Sequence, residues 1–156
     1  MGKNCKLIVL AVFAMTVIFY GVSSATVTST IVSNTPQMFV YKVTWGPSAT
    51  TFTQVAAASI DLWEGWLYKV VTDPATASPT DNYDIQLLDS NGVDIFGAQI
   101  QNRDETNTEE VYIKAPGATD QWTPVYVNGP ATFSVYGVTD ADSNGDTFLY
   151  IRKQAP

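Results

Sequence analysis

The chain has 156 residues, 46% of them apolar and 12% aromatic, with one cysteine, no histidine and a net charge of −7. That apolar fraction excludes a disordered chain, and a pI near 4.2 argues against a protein that works by neutralising phosphates, which takes Lys and Arg. The missing histidine removes the commonest general base and a major transition-metal ligand.

In chain order, Lys3 and Lys6 precede a mostly apolar run from Leu7 to Tyr20. Gly21-Val22-Ser23-Ser24-Ala25 follows, with small residues at the −3 and −1 places of a signal-peptidase site. A positive start, an apolar core and a small-residue exit form the secretory signature. As a helix the run would reach about 21 Å, short of the ~30 Å hydrocarbon core, which disfavours an uncleaved anchor. Cys5 stands ahead of the run rather than after it, the wrong place for a lipoprotein cysteine. The sequence therefore predicts a signal peptide over 1–25 and a secreted or extracytoplasmic chain (periplasmic, extracellular or at a cell surface) from Thr26 to Pro156. Removing residues 1–25, and with them Lys3, Lys6 and Cys5, would leave 131 residues with no cysteine and six basic against fifteen acidic side chains, a net of −9. No disulfide is then available within the chain, although that compartment permits one, so a packed core must supply the stability.

The remaining chain reads as β throughout. Thr26 to Val32 and Thr50 to Val55 are rich in Thr and Val, and Phe39, Tyr41, Val43 and Trp45 alternate with less apolar neighbours as a half-buried strand does. Ala56 to Trp63 is the one place where a helical turn fits. Trp66 to Val71, Tyr83 to Leu88, Val93 to Phe96, Val111 to Ile113, Val125 to Val127, Ala131 to Val138 and Phe148 to Arg152 complete the strand candidates. Asp89-Ser90-Asn91-Gly92 gives a hairpin signal, because Asn-Gly tolerates positive φ, and Asn128-Gly129-Pro130 and Asp140 to Asp146 separate further strands. About eight to ten short strands with frequent turns predict one antiparallel β-sandwich over 26–156, of jelly-roll or immunoglobulin-like topology.

Four segments carry a resemblance: Gly65-Trp66-Leu67-Tyr68-Lys69-Val70-Val71-Thr72, Pro79-Thr80-Asp81-Asn82-Tyr83-Asp84-Ile85, Leu88-Asp89-Ser90-Asn91-Gly92-Val93-Asp94-Ile95, and Val127-Asn128-Gly129 ahead of a strand. In that order the chain resembles small, largely uncharacterised β-rich proteins of tailed phages and prophages, regarded as virion structural or accessory parts. The likeness covers about residues 65–152. It implies a β-rich structural module without catalysis. An export signal departs from that pattern, since virion proteins normally assemble in the cytoplasm.

Candidate chemistry is sparse. Asp140-Ala141-Asp142-Ser143-Asn144-Gly145-Asp146 matches the opening of a calcium loop, which makes Asp140, Asp142, Asn144 and Asp146 the candidate ligands. The twelfth position, which should carry a bidentate Glu, is Ile151, and the same residues equally make an ordinary polar turn. Asp104, Glu105, Glu109 and Glu110 cluster around Arg103, as paired glycosidase carboxylates or as a solvated loop; the loop is the simpler reading. With neither His nor Cys left after cleavage, the usual nucleophile–base dyads cannot be built. Trp63 and Trp122 have acidic or amide neighbours and suit stacking on sugar rings, whereas Trp45 and Trp66 sit in strand patterns that call for core packing. The uncharged segment Thr26 to Val32 can add to its own sheet or to a neighbour's.

These readings predict no enzyme and no cofactor beyond an optional calcium ion. They predict protein partners or self-assembly ahead of a glycan, with no nucleic acid and no membrane contact after cleavage. The expected role is an exported, non-enzymatic structural or adhesive interaction module similar to a phage-type virion accessory domain. The alternative is a carbohydrate-binding module, in a form that calcium could support.

Overall fold

The computed structural model describes residues 27–46, 54–75, 79–114, 123–138 and 143–153, with side chains from residue 58 onward in the second stretch. The described strands are β1 (Val27–Asn34), β2 (Met38–Trp45), β3 (Gln54–Pro74), β4 (Asp84–Leu88), β5 (Glu109–Tyr112), β6 (Val125–Tyr136) and β7 (Gly145–Arg152). No helix occurs among the described residues, and every strand pairing is antiparallel. The seven strands form one hydrogen-bonded sheet in the order β1-β2-β7-β3-β6-β4, with β5 attached to β3.

Strand β3 turns that sheet back on itself. Its first part, Gln54 to Leu67, pairs with β6, and its later part, Trp66 to Pro74, pairs with β7. Only Trp66 and Leu67 have both neighbours, and β5 takes over the β6 side from Lys69 onward. One layer is therefore β1, β2, β7, late β3 and β5, and the other is early β3, β6 and β4. Side chains from both layers meet in one buried cluster that includes Trp45, Leu67, Val70, Leu149 and Ile151 from the first and Ile60, Ile85, Leu87, Phe133 and Val135 from the second. Tyr83, just ahead of β4, closes on Trp45 with ring centroids 5.5 Å apart. The all-β antiparallel class expected from the alternation is what the chain adopts.

Extra residues in β3 change which face its side chains take. Register shifts fall between Val55 and Ala58 and between Leu62 and Gly65 against β6, and between Leu67 and Lys69 against β7. Each inserts one residue, so the buried set runs Ile60, Leu62, then Gly65, Leu67, then Val70, Thr72. Trp63, Glu64, Trp66, Tyr68 and Lys69 are left on the outer side. Trp66 is thus half-buried on the outer face rather than in the core.

Three other local expectations change. The segment Ala56 to Trp63 is strand, not a helical turn, because β6 pairs along it. Asn128-Gly129-Pro130 does not break the chain into two strands: β6 runs through it with Gly129 at φ 78. Val93 to Phe96 forms no strand; Asp89 to Val93 closes a turn, and the pairing is limited to a Leu88–Asp94 bridge and an Ile95 N–H to Leu87 C=O bond of 2.7 Å. Of the segment Thr50 to Val55, residues 50–53 lie outside the described residues.

Candidate interaction surface

Among the described residues the sheet ends on β4, β5 and β1, besides the one-sided stretches of β3 before Trp66 and of β6 before Thr132, and the three end strands are finished differently. The outer edge of β4 is covered by the following loop: Ile85 N–H donates to Ile100 C=O at 2.8 Å, Ile95 N–H to Leu87 C=O at 2.7 Å and Arg103 N–H to Tyr83 C=O at 2.8 Å. Strand β5 is four residues long and carries Glu109 and Glu110, so it is short and charged. Strand β1 has neither protection. It is eight residues long, has no charged side chain, pairs among the described residues only with β2, and is exposed over most of its length. Its apolar side chains are bare, with Ile31 38% and Val32 52% exposed. A bulge between Ile31 and Ser33 is its one irregularity, which leaves Val27 to Ile31 as an unbroken run.

The strand is held in place at its far end. Thr35 closes the β1–β2 turn, its backbone N–H donating to Met38 C=O at 2.9 Å while its hydroxyl accepts from Met38 N–H at 3.1 Å. Lys153 Nζ donates to Asn34 Oδ1 at 2.6 Å. The exposed edge is thus presented on a fixed hairpin.

The outer face of the β2–β7–β3 layer is aromatic and cationic, a feature that the sequence reading missed. The pattern Phe148-Leu149-Tyr150-Ile151 is apolar on both sides and is its visible signal. Trp66 meets Tyr126 edge to face at 5.4 Å, and Tyr68 meets Tyr150 at 6.2 Å. Cations lie over these rings: Lys69 Nζ is 4.2 Å from the Tyr150 centroid, Arg152 Cζ 4.7 Å from that of Tyr68, and Lys42 Nζ 5.9 Å from that of Phe148. Lys42 also pairs with Asp146 at 2.8 Å and Lys69 with Glu110 at 3.2 Å. Tilted rings capped by cations are not a flat stacking platform.

Trp63 is 47% exposed. Its backbone N–H donates to Tyr41 Oη at 2.7 Å, and its ring stands at 87° to Phe39 with centroids 4.7 Å apart. Nearby, Tyr126 Oη donates to Glu64 Oε1 at 2.8 Å. Trp122 lies outside the described residues, as do Asp140 and Asp142. Asp146 takes its place on the outer face, where it accepts from Thr44 Oγ1 at 2.6 Å besides pairing with Lys42. Asn144 is half-buried with its side-chain oxygen unpartnered. Of the four calcium candidates, Asn144 and Asp146 are described, and Asp146 is engaged by Thr44 and Lys42. Among the described residues no three Cys, Asp or Glu side chains are grouped as a metal site.

A groove of about 290 Å³ runs between the Asp89–Ile95 turn and β6, lined by Leu62, Val93, Ile95, Tyr126, Asn128 and Pro130 among others. Its two carboxylates serve their own backbone. Asp89 accepts from Val93 N–H and Asn91 N–H, both at 2.8 Å, and the Val93 bond leads in holding it below the usual carboxylate range. Asp94 accepts from Phe96 N–H at 3.1 Å and Ala98 N–H at 2.8 Å. The acidic cluster behaves alike: Glu109 pairs with Arg103 at 3.4 Å and accepts from Asp104 N–H at 2.9 Å, while Asp104 folds over the N–H groups of Thr106 and Asn107 at 2.7 Å each. These carboxylates close turns rather than face each other across a cleft.

The described residues form an antiparallel β protein whose end strand β1 is uncharged and exposed. No protein-family model and no curated protein matches the chain. Among solved structures it is similar to a cupin domain of Bordetella pertussis Tohama I, with 10% identity, 86% of this chain and 100% of that chain covered, and a TM-score of 0.33. A likeness at that level carries nothing about ligand or activity.

Proposed function

We propose that the protein is an exported, non-enzymatic structural or adhesive module that assembles through the open edge of β1, in the manner of a phage-type virion accessory domain. The observation that carries this reading is the contrast between edges: β4 is covered, β5 is short and acidic, and β1 is long, uncharged and bare. An open edge offers a ready row of N–H and C=O groups to another strand. A second copy of the chain supplies such a strand by construction. The engaged carboxylates and the lack of histidine support a role without catalysis.

The test is mass in solution across a concentration series, with Ile31→Lys/Val32→Lys as the edge-blocked variant. The parent protein is expected to run as an oligomer and the variant as a monomer with unchanged far-ultraviolet circular dichroism. A parent that stays monomeric at every concentration would sink self-assembly. Carbohydrate binding is the second reading, favoured by the exposed Trp63 ring. It expects saturable quenching of tryptophan fluorescence by a polysaccharide, with or without calcium, and loss of that quenching in Trp63→Ala.

A further inference from the structure

A polar island sits inside the core at the β2–β7–β3 end of the sandwich. Trp45 Nε1, Thr72 Oγ1, Tyr83 Oη and Thr147 Oγ1 are all buried and lack a well-aligned hydrogen-bond partner within the protein, although the Thr72 hydroxyl stands close enough to the Tyr83 phenol to lower its pKa. The register brings the four together. Thr147 lies opposite both Val43 and Thr72, and Gly145 lies opposite both Trp45 and Pro74. A Cβ at Gly145 would stand 2.5 Å from Trp45 Cζ2 and 2.9 Å from Cε2, so the indole lies directly over β7 beside Thr147. Tyr83 closes from the other layer at 5.5 Å from the Trp45 ring, with its hydroxyl near that of Thr72.

Buried polar atoms without good partners are costly, so four at one end of the core call for an occupant that satisfies them. The donor set selects its chemistry. Indole N–H only donates, and the three hydroxyls do either. All four groups are neutral, since burial pushes the Tyr83 phenol up to about 12. A charged occupant would be buried there with no countercharge. A small neutral molecule that both donates and accepts suits the set.

We propose that this island is an internal hydration site, in which one or two long-lived water molecules bridge Trp45, Thr72, Tyr83 and Thr147 and tie the two layers of the sandwich together. Buried waters of this kind make about three hydrogen bonds each. The site is independent of the β1 edge and stands whether or not that edge assembles.

Oxygen-17 magnetic relaxation dispersion on the purified protein tests it, together with water cross-peaks to the Trp45 indole N–H, which its proximity to the Tyr83 ring identifies. The expected result is a dispersion step from long-lived water and a direct water contact at that indole proton. Thr72→Val/Thr147→Val should lose most of the step and the contact. A folded parent protein with no long-lived water at the Trp45 indole overturns the proposal, as does a step that persists undiminished in the double variant. Should the double variant fail to fold, the indole contact in the parent protein decides alone.

Discussion

Gly145 faces the six-membered ring of Trp45 across the β2–β7 pairing, and that contact sets how the largest core side chain is seated. A methyl group at 2.5 Å from Cζ2 cannot coexist with the present ring position, and the ring is held by Tyr83 on its other flank. Overpacking of this kind typically costs about 1–3 kcal/mol. Gly145→Ala should therefore lower the denaturant midpoint and weaken the near-ultraviolet dichroism of the buried indole; an unchanged midpoint would mean that the ring slides freely. At this scale the sequence was informative about some aromatics and silent about others. The alternation of Phe39, Tyr41, Val43 and Trp45 showed their burial, because nothing interrupts β2. Trp66 followed an equally apolar pattern yet lies on the outer face, since the inserted residue that turns it outward is invisible in residue type. The partners of Asp146, Lys42 and Thr44, come from β2, far away in sequence, so the spacing of the Asp140 to Asp146 motif gives no sign of them.

Among the elements, β3 decides the architecture. It serves two layers, and the bulge after Leu62 brings Gly65 inward where β6 and β7 begin to share it. A Cβ there would meet Ile151 Cγ2 and stand 2.5 Å from the Arg152 carbonyl oxygen. The second neighbour is backbone, which cannot step aside as a side chain does. Gly65→Ala should cost more than Gly145→Ala, about 3 kcal/mol or beyond, and equilibrium unfolding of the two variants compares them directly. The Thr- and Val-rich, charge-free composition of Thr26 to Val32 left open whether it adds to its own sheet or to a neighbour's, and Val27 to Asn34 pairs with β2 in its own. The covering of β4 did not show, because it depends on backbone bonds from the 95–103 loop and not on residue type. Only with that cover known does the contrast between the β4 and β1 ends of the sheet emerge. The Ile31→Lys/Val32→Lys variant belongs here: its charges fall on exposed positions, so assembly should fail while the fold stands.

For the whole molecule, the absent histidine has a thermodynamic consequence as well as a catalytic one. Apart from the Cys5 thiol, nothing in the side-chain set titrates between about pH 5 and 9 in its ordinary range, so the described fold should keep a flat stability there. The edges of the plateau are set by groups that the fold shifts. Asp89, Asp104 and Glu110 are held below the usual carboxylate range, by the Val93 N–H, the Asn107 amide and the Tyr112 hydroxyl respectively, so their contribution is present above about pH 4 and is lost as pH falls through their lowered values. On the alkaline side Tyr83 dominates. Burial raises its phenol from 10.0 to about 12, against a smaller opposing contribution from Thr72. The unfolded chain then gives up that proton before the folded one does, so stability is full below about pH 10 and is lost as pH rises toward 12. A rise of that size corresponds to about 2–3 kcal/mol. Tyr41, raised chiefly by burial, and Tyr112 and Tyr126, raised by Glu110 and Glu64, add smaller shares. Tyr83→Phe has no such proton to lose. Urea unfolding of both proteins from pH 6 to 12 should show the parent's advantage constant up to about pH 10 and shrinking above it by that amount, whereas parallel curves throughout would mean that Tyr83 is solvated in the folded state.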